Sequence, residues 1–152
     1  MLWSQLKHFY RQQLAYAKPA LSELIVFSLL HQADMQPRIV AAVRLRPYEG
    51  NLLLTGLVTH KDFRNQGIAG ELLTLVQEKL AAQPSFLFCS PELNDFYQRY
   101  GFERVDVEQL NAESTDTKEG AEQATPSVIQ QKFFTYKKGQ ANLTLMSFKG
   151  CG

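Results

Sequence analysis

The sequence predicts one α/β domain, of the α+β type, in which helices flank a central sheet. Three observations support this fold class. The chain has 152 residues, which is the usual size of a single domain. Its apolar residues alternate between strand-like runs and helical spacing. Two strand-like runs with a short polar connection predict an antiparallel hairpin in the first third of the chain.

The first part of the chain predicts a helix and three strands. The helix covers residues 2 to 17, and the strands cover 23 to 32, 38 to 47 and 51 to 60. The helix has apolar residues at helical spacing, and the first two strands are rich in branched and aromatic residues. The third strand, "NLLLTGLVTH", is apolar almost throughout, as expected when both faces are covered. Gly56 in its middle predicts a β-bulge or the close approach of another backbone or a ligand.

The second part of the chain predicts three helices and three strands. Helices are expected at 67 to 82, at 91 to 100 and from Thr125 to Gly139, and strands at 85 to 90, 102 to 110 and 141 to 149. The first of these helices should bury a stripe formed by Ile68, Leu72, Leu75, Val76 and Leu80. Pro91 and Gly101 suit the start and end of the second helix. Thr125 and Pro126 suit the cap and first turn of the third of these helices.

Residues 111 to 125 differ in composition from the rest of the chain. They contain no aromatic or branched aliphatic side chain and are rich in acidic residues. A segment of this composition cannot bury enough apolar surface to order itself. The sequence therefore predicts a mobile surface loop here.

Composition and charge exclude several classes of function. The formal net charge is +1 and there is no basic stripe, which argues against a nucleic-acid partner. Apolar runs are short, such as "LIVF", so no membrane span or signal peptide is expected. Cys89 and Cys151 do not form a disulfide framework, which favours a reducing compartment, the cytoplasm. The chain is expected to be a monomer or a homodimer.

The segment "RNQGIAGELL", residues 64 to 73, has two glycines at the start of a predicted helix. Glycine inside a helix costs about 1 kcal/mol relative to alanine, so Gly67 and Gly70 need a reason. The first N–H groups of a helix have no partner within it and attract anions. Arg64 adds a positive charge that can contact phosphate oxygens. The alternative is that the two glycines only allow close packing of the helix on the sheet.

A second segment, "FYQRYGFERV", covers residues 96 to 105. Together with "GLVTHKDFRNQGIAGELL", it resembles the GCN5-related N-acetyltransferase (GNAT) family. That family carries R/Q-x-x-G-x-G/A at a strand-to-helix turn, here Arg64, Gly67 and Ala69. It also carries an "fYeklGF" element, here residues 96 to 102. The resemblance extends from about residue 23 to 110, and more loosely to 148.

The resemblance implies one GNAT-like domain over residues 1 to 152, with a mixed, mostly antiparallel sheet that is splayed open at an acetyl-CoA site. The implied activity is acetyl transfer from acetyl-CoA, the acyl donor, to a primary amine by direct attack, without a metal. The residues implied to bind the pyrophosphate are Arg64, Asn65, Gln66, Gly67, Ile68, Ala69 and Gly70. Those implied to pair with the pantetheine arm are Leu57, Val58 and Thr59. The cofactor would satisfy backbone groups that a splayed strand leaves unpaired.

Tyr97 matches the tyrosine that family members use as general acid. A phenol has a pKa of about 10 and can reprotonate a thiolate whose thiol has a pKa of about 8.5. Tyr100, one helical turn later, is the rival, although its place beside Gly101 suits packing. The other possibility for Tyr97 is a core aromatic residue whose hydroxyl bonds to the backbone.

The sequence also departs from the family pattern. Ser90 stands where many members have an asparagine that binds the pantetheine, and Asn94 is expected to replace it. Many members place a glutamate on the central strand to take the amine proton, whereas this strand offers only Thr55. The proton is then expected to leave through water or through a base on another segment, such as Glu49. His60, at the strand end, is interpreted as a phosphate neighbour or a plain surface residue.

The sequence leaves three classes of acceptor open: a small-molecule amine, a peptide N-terminus and a protein lysine. Arg44 and Arg46 share one strand face and could attract a carboxylate on the acceptor, although paired surface arginines are more often solvated. The main alternative function is a non-catalytic acyl-CoA-binding sensor, which the missing strand carboxylate would allow. A nucleotide or other phosphate binder would share the Gly67 turn but leave "FYQRYGF" unexplained.

Overall fold

The fold is described by a computed structural model, which covers residues 2–14, 17–32, 35–108 and 125–150. Its strands are β1 (Leu24–Gln32), β2 (Met35–Tyr48), β3 (Asn51–Thr59), β4 (Ser85–Cys89), β5 (Phe102–Arg104) and β6 (Thr144–Phe148). Its helices are α1 (Leu2–Gln13), α2 (Ile68–Leu75), α3 (Gln77–Ala82), α4 (Asn94–Gln98) and α5 (Ser127–Lys137). Short 3-10 turns cover Lys61–Phe63 and Pro91–Leu93. Within these ranges no helix is long and apolar enough to cross a membrane.

The strands form one six-stranded sheet in the order β1-β2-β3-β4-β6-β5. All neighbouring strands run antiparallel except β3 and β4, which are parallel. Helices pack on both faces of this sheet. The predicted fold class, a mixed and mostly antiparallel sheet flanked by helices, is confirmed.

The sheet opens between β3 and β4. The two strands pair only where Leu52–Leu54 lies beside Ser85–Leu87. β3 nevertheless stays paired with β2 as far as Thr59. Beyond Leu54, no ladder joins β3 to β4 in the described residues. Residues 55 to 59 therefore diverge from β4, as the splayed sheet of the family resemblance implies.

The core lies on both faces of the sheet because neighbouring residues of a strand point to opposite sides. Leu54 packs into the cluster under α2 and α3, which includes the fully buried Leu73. Leu53 packs into the cluster under α5, which includes Phe133. A third cluster, which includes Tyr10, joins α1 to β2 and β3. These three clusters hold the two diverging strands between helices.

Two boundaries in the first part of the chain were predicted wrongly. α1 ends at Gln13 rather than at residue 17; residues 15 and 16 lie outside the described ranges. β2 begins at Met35, inside the predicted connection "ADMQP". The reason is that the hairpin ladder continues until Gln32 pairs with Met35, so the strand is extended by its partner.

The predicted strand at 102 to 110 is also too long. β5 covers only Phe102–Arg104, and the N–H of Val105 still reaches the Leu145 carbonyl (2.8 Å). Residues 107 and 108 are helical, and 109 and 110 lie outside the described ranges. In the described residues β5 pairs with β6, which is also shorter than the predicted 141 to 149. β5 pairs with residues 146 to 148, whereas β6 continues to Thr144, so the chain leaves β6 after Val105 before that strand ends.

The helix predicted at 67 to 82 is divided into α2 and α3 at Val76. The hydroxyl of Thr74 donates to the Gly70 carbonyl (3.0 Å), a contact that often bends helices. The predicted stripe is wrong at Leu75, which is 70% exposed, whereas Leu73 is fully buried. The sheet faces the side between residues 72 and 73, so Leu75 lies outside the buried face.

The helix predicted from Thr125 begins two residues later, at Ser127. Pro126 is extended and accepts the N–H groups of Ile129 and Gln130 at its carbonyl (3.1 and 3.0 Å). Thr125 is buried and does not cap the helix through its side chain. The mobile loop predicted at 111 to 125 lies outside the described residues except for Thr125.

Candidate active site

β3 carries a β-bulge at the point where it leaves β4. Its register against β2 shifts between Ala42 and Arg44, opposite Gly56, which has a φ of +64°. The Gly56 carbonyl accepts a hydrogen bond from the hydroxyl of Tyr10 on α1 (2.7 Å). A Cβ at Gly56 would lie 2.9 Å from Cδ of Arg44. The left-handed backbone and this contact both require glycine, and the predicted bulge is confirmed.

A cleft of about 690 Å³ lies where β3 and β4 diverge. The strands contribute Leu53, Leu54, Thr55, Gly56, Leu57, Phe88 and Cys89 to its walls. Tyr97 from α4 and Tyr136 from α5 also line it. Its charged lining residues are Lys18, Arg44 and Arg46. The cleft thus combines an apolar gap between two strands with a set of cations.

Tyr97 is nearly buried in the wall of this cleft, with 8% of its surface exposed. Its ring meets Phe96 and Phe102 edge to face, with centroids 5.1 and 6.0 Å away. Its hydroxyl has no hydrogen-bond partner in the described part of the chain, so the alternative of a backbone-bonded hydroxyl is not observed. Burial raises the pKa of the Tyr97 phenol, and the nearby Cys89 thiol raises it further. The phenol is therefore protonated at neutral pH.

Tyr100, the rival for the same role, does not line the cleft. Its hydroxyl lies against Gly70 of α2, where a Cβ would overlap it. Its ring packs on Phe96, with 5.3 Å between centroids, and its carbonyl accepts from Nε2 of Gln77 (2.9 Å). Close packing of α2 therefore explains Gly70. This packing is the alternative that the sequence analysis considered for both glycines.

Gly67 is different, because no atom lies within 4 Å of where its Cβ would be. Its φ of +81° explains why glycine is preferred there, whereas packing does not. It caps α2, whose first hydrogen bond runs from the Glu71 N–H to the Gly67 carbonyl (3.0 Å). The N–H groups of Ile68 and Ala69 precede that bond and have no acceptor within the helix. The turn thus presents helix N–H groups beside open space.

The end of β3 is tied to this turn by side chains. Nε of the exposed Arg64 donates to the Thr59 carbonyl (3.1 Å). Nδ1 of His60 accepts the N–H of Asp62 (3.1 Å) and so caps the 3-10 turn. His60 therefore has a local structural role at the strand end. Arg64, three residues before Gly67, is held at the strand end with its charge at the surface.

The residues predicted to contact the pantetheine differ in whether they line the cleft. Leu57 lines the cleft, whereas the Val58 side chain packs in the α1 cluster. Asn94 is buried outside the cleft lining, and its Oδ1 accepts from Sγ of Cys89 (3.3 Å) and Oγ1 of Thr144 (3.0 Å). The structure therefore gives Asn94 a role in holding the end of β4. Its contact with the cofactor stays a prediction.

Among the described residues, none that lines the cleft carries a carboxylate. Thr55 lines the cleft, but Glu49 lies in the exposed turn that precedes β3. Glu49 is therefore poorly placed to serve as the base. Within the described ranges, no group of three or more histidine, cysteine, aspartate or glutamate side chains is placed to hold a metal ion.

A buried carboxylate that the sequence analysis missed lies beside the cleft. The side chain of Glu23 is 1% exposed, and its two oxygens accept from Nε and Nη2 of Arg44 (2.9 and 2.8 Å). Nε of Arg46 lies 2.7 Å from Oε2 of the same carboxylate. Nη2 of Arg44 also donates to the Lys18 carbonyl (3.2 Å). The interpretation of Arg44 as a solvated surface residue is wrong, since Arg44 is 4% exposed.

Burial alone would raise the pKa of Glu23 and lower that of Arg44. The hydrogen bonds and opposite charges outweigh burial, so the pKa of Glu23 lies below its ordinary value and that of Arg44 above. Both groups therefore remain charged at neutral pH. The sequence could have indicated that Arg44 has a buried partner. Arg44 interrupts an apolar strand, and a buried charge needs a partner.

Comparison with known proteins places the chain in a family. Residues 4–118 match the family model described as acetyltransferase (GNAT) domain. The chain therefore belongs to the GNAT acetyltransferase family. A search of curated proteins with the sequence gave no match.

Solved structures share the fold at low sequence identity. A GNAT family acetyltransferase from Elizabethkingia anophelis with acetyl-CoA bound has 16% identity over 94% of this chain and 82% of its own, with a TM-score of 0.51. An aminoglycoside 6'-N-acetyltransferase complexed with coenzyme A has 15% identity over 69% and 80%, with a TM-score of 0.53. N-acetylglutamate synthase from Neisseria gonorrhoeae, complexed with coenzyme A and N-acetyl-glutamate, has 10% identity over 76% and 24%, with a TM-score of 0.53. The chain spans 62% of the length of Escherichia coli ElaA (14% identity, TM-score 0.47) and 24% of that synthase. With identities of 10% to 16%, the three structures above show the fold alone.

Proposed function

We propose that the protein is an acetyl-CoA-dependent N-acetyltransferase with a primary amine as acceptor. The opening of the sheet beside Tyr97 carries this proposal. The pantetheine arm contains amide groups, which can pair with the backbone of residues 57 to 59 where β3 has left β4. The Gly67 turn follows the same strand end, so the donor's phosphates would lie on its N–H groups.

The chemistry needs a proton donor for the leaving thiolate. The amine nitrogen attacks the thioester carbonyl carbon, a C–N bond forms, and the C–S bond breaks with its electron pair left on sulfur. We assign Tyr97 as the general acid that protonates this sulfur. None of the described residues that line the cleft carries a carboxylate, so we assign the proton that the amine loses to water, through which the phenol is restored.

The raised pKa of Tyr97 does not oppose this assignment. Burial also raises the pKa of the Cys89 thiol, which lies in the same wall. A coenzyme A thiol in this cleft would be desolvated in the same way, and its thiolate would become more basic. The pKa values of donor and acceptor therefore shift in the same direction, and proton transfer stays feasible.

Two measurements test the proposal. Calorimetry shows whether acetyl-CoA binds, and a thiol reagent follows release of coenzyme A in the presence of an amine library. Binding with amine-dependent release supports an N-acetyltransferase. Binding without release for any amine would favour the non-catalytic sensor, and no binding would contradict both functions.

Gly67→Val is expected to weaken acetyl-CoA binding about tenfold or more, a loss of about 1.4 kcal/mol. The side chain would fill the open space above the helix N-terminus, which is proposed to hold the pyrophosphate. Gly50→Val is the matched control, because Gly50 also has an open surrounding and a positive φ (+84°) but lies in the β2–β3 turn. If calorimetry gives the two variants equal affinities for acetyl-CoA, glycine at position 67 is needed only for its positive φ and not for phosphate binding.

Arg64→Ala is expected to weaken acetyl-CoA binding about fivefold at low ionic strength, close to 1 kcal/mol. The proposed contact joins the exposed Arg64 guanidinium to a phosphate of acetyl-CoA, and salt screens such a contact. The loss of affinity should therefore shrink as salt is added. Titrations at low and high salt provide the measurement. Arg64→Gln separates charge from the hydrogen bond to Thr59, since an amide can still donate. A loss that does not change with salt would assign Arg64 to holding the turn.

A further inference from the structure

We propose that the acceptor is an amine that also carries a carboxylate, and that Arg46 and Lys18 bind this carboxylate in the cleft. The inference rests on the proposed N-acetyltransferase function and names its substrate class. The charged residues of the cleft lining are Lys18, Arg44 and Arg46, and all of them are cations. A lining whose charged residues are all cations favours an acceptor that carries negative charge.

The charge balance of the cleft leaves it positive. Glu23 is the carboxylate that contacts these cations, through Arg44 and Arg46. Its side chain is 1% exposed, so it cannot itself bind the ammonium group of an acceptor. One carboxylate against the cations Lys18, Arg44 and Arg46 leaves excess positive charge facing the cleft. An anionic group on the acceptor would compensate that charge.

Arg46 has the geometry of a preformed carboxylate fork. Its Nε lies 2.7 Å from Glu23, and its guanidinium lies 5.4 Å from the centroid of the Tyr48 ring. These two contacts restrain the guanidinium, while 36% of the side chain remains exposed. Its terminal nitrogens make no hydrogen bond with the described residues. A restrained guanidinium with open nitrogens suits bidentate binding of a carboxylate.

Arg44 and Lys18 play different parts beside Arg46. Arg44 already donates to both oxygens of Glu23 and to the Lys18 carbonyl. It therefore adds positive charge to the cleft, but its Nε and Nη2 are already engaged. The side chain of Lys18 belongs to an exposed residue of the lining. Its ammonium group can add a second contact to an anion held by Arg46. Arg46 and Lys18 are thus the two cations of the lining that remain available to a ligand.

The same cations act against acceptors that carry only positive charge. A polyamine or an aminoglycoside would place several ammonium groups beside three cations, which costs free energy. Nearby positive charge also lowers the pKa of a bound ammonium group. For an amine that is anchored by its carboxylate, this shift favours the neutral nucleophile in a cleft without a lining carboxylate. The cationic lining would therefore both select and activate such an acceptor.

The test compares amino acids with their carboxamides, which differ from them only in the carboxylate, and with amines that carry only positive charge. Rates of coenzyme A release are measured for the proteinogenic amino acids, for their carboxamides, for spermidine and for an aminoglycoside. We expect at least one amino acid to exceed its own carboxamide in kcat/KM by about tenfold or more. Faster acetylation of a carboxamide, a polyamine or an aminoglycoside than of every amino acid would overturn the inference and leave the proposed function intact.

Variants then assign the preference to Arg46. Arg46→Gln should raise the KM of the preferred amino acid about tenfold and reduce its advantage over the carboxamide, with unchanged acetyl-CoA affinity. Arg104→Gln is the control, because it removes the same charge from the exposed edge strand β5, outside the cleft lining. A loss of acetyl-CoA affinity in Arg46→Gln, without a change in acceptor KM, would mean that Arg46 binds a phosphate of the donor and would overturn the inference.

A binding measurement separates failure of this inference from failure of the proposed function. If no amine is acetylated, the proposed function is wrong. Calorimetry with N-acetyl amino acids and their carboxamides, in the presence of coenzyme A, then tests the carboxylate site directly. Tighter binding of the acids in the wild type, lost in Arg46→Gln, supports the site. Equal binding of acids and carboxamides overturns it.

Discussion

Tyr97→Phe is expected to lower the turnover number of acetyl transfer about tenfold to a hundredfold, with acetyl-CoA affinity nearly unchanged. The substitution removes the proposed proton donor and keeps the ring, so the contacts with Phe96 and Phe102 are retained. General acid catalysis typically contributes about 10²–10⁴-fold. A thiolate is already a fair leaving group, so we expect a loss at or below the lower limit of that range. Steady-state release of coenzyme A gives the turnover number, and calorimetry gives the affinity.

Tyr100→Phe is the matched control for this variant. The Tyr100 hydroxyl lies against Gly70 and outside the cleft, so its removal should change the rate only a few-fold. Equal losses in the two variants would assign both tyrosines to packing. Full activity of Tyr97→Phe would mean that the thiolate leaves without help or that another group is the acid.

The pH dependence of the Tyr97 effect follows from its burial. Because burial raises the pKa of the phenol, Tyr97 stays protonated above the ordinary value of about 10. The ratio of wild-type to Tyr97→Phe rates should therefore stay constant from pH 7 to about 9.5. A ratio that falls towards one in this range would mean that Tyr97 loses its proton there, contrary to a raised pKa.

The parts of the fold that depend on local pattern could be predicted from the sequence. The order of strands and helices follows from apolar spacing, and the bulge follows from Gly56 inside an apolar strand. The opening of the sheet beside that bulge was implied by family resemblance, since the residues alone do not determine which strands pair. Boundaries failed where strand pairing decided them: Met35 joins β2 because it pairs with Gln32, and β5 ends after Arg104, where its ladder with β6 stops.

Some residues of the candidate site could be singled out from the sequence, and their roles stay predictions. Gly67 and Tyr97 could be singled out because their neighbours in sequence carry the motif. Gly70 could not be separated from Gly67, because the contact that explains it comes from Tyr100, far along the chain. Glu23 was missed for the same reason: its partner Arg44 becomes its neighbour only when the sheet has formed. The cytoplasmic location, the absence of a nucleic-acid partner and the choice between monomer and homodimer stay predictions.

The contact between Glu23 and Arg44 gives the largest expected effect on stability. Glu23→Gln should lower the free energy of unfolding by about 3 kcal/mol, because it leaves the buried Arg44 without a counter-charge. Denaturant titration at neutral pH measures this difference. Glu103→Gln, a change of the same kind at an exposed position of β5, should alter stability by no more than about 0.5 kcal/mol. A loss in Glu23→Gln as small as that of the control would show that the pair adds little to the fold.

The pH dependence of this loss provides a second check. The pKa of Glu23 is lowered in the folded state, so the carboxylate contributes stability above the pKa of an unfolded glutamate, about 4.3. That contribution is lost as the pH falls through the lower folded value, because the wild-type side chain is then protonated and neutral like glutamine. The stability difference between wild type and Glu23→Gln should therefore be constant from pH 7 to about 5 and decrease at more acid pH. A difference that persists undiminished in acid would assign the loss to altered packing around Arg44 rather than to its missing counter-charge.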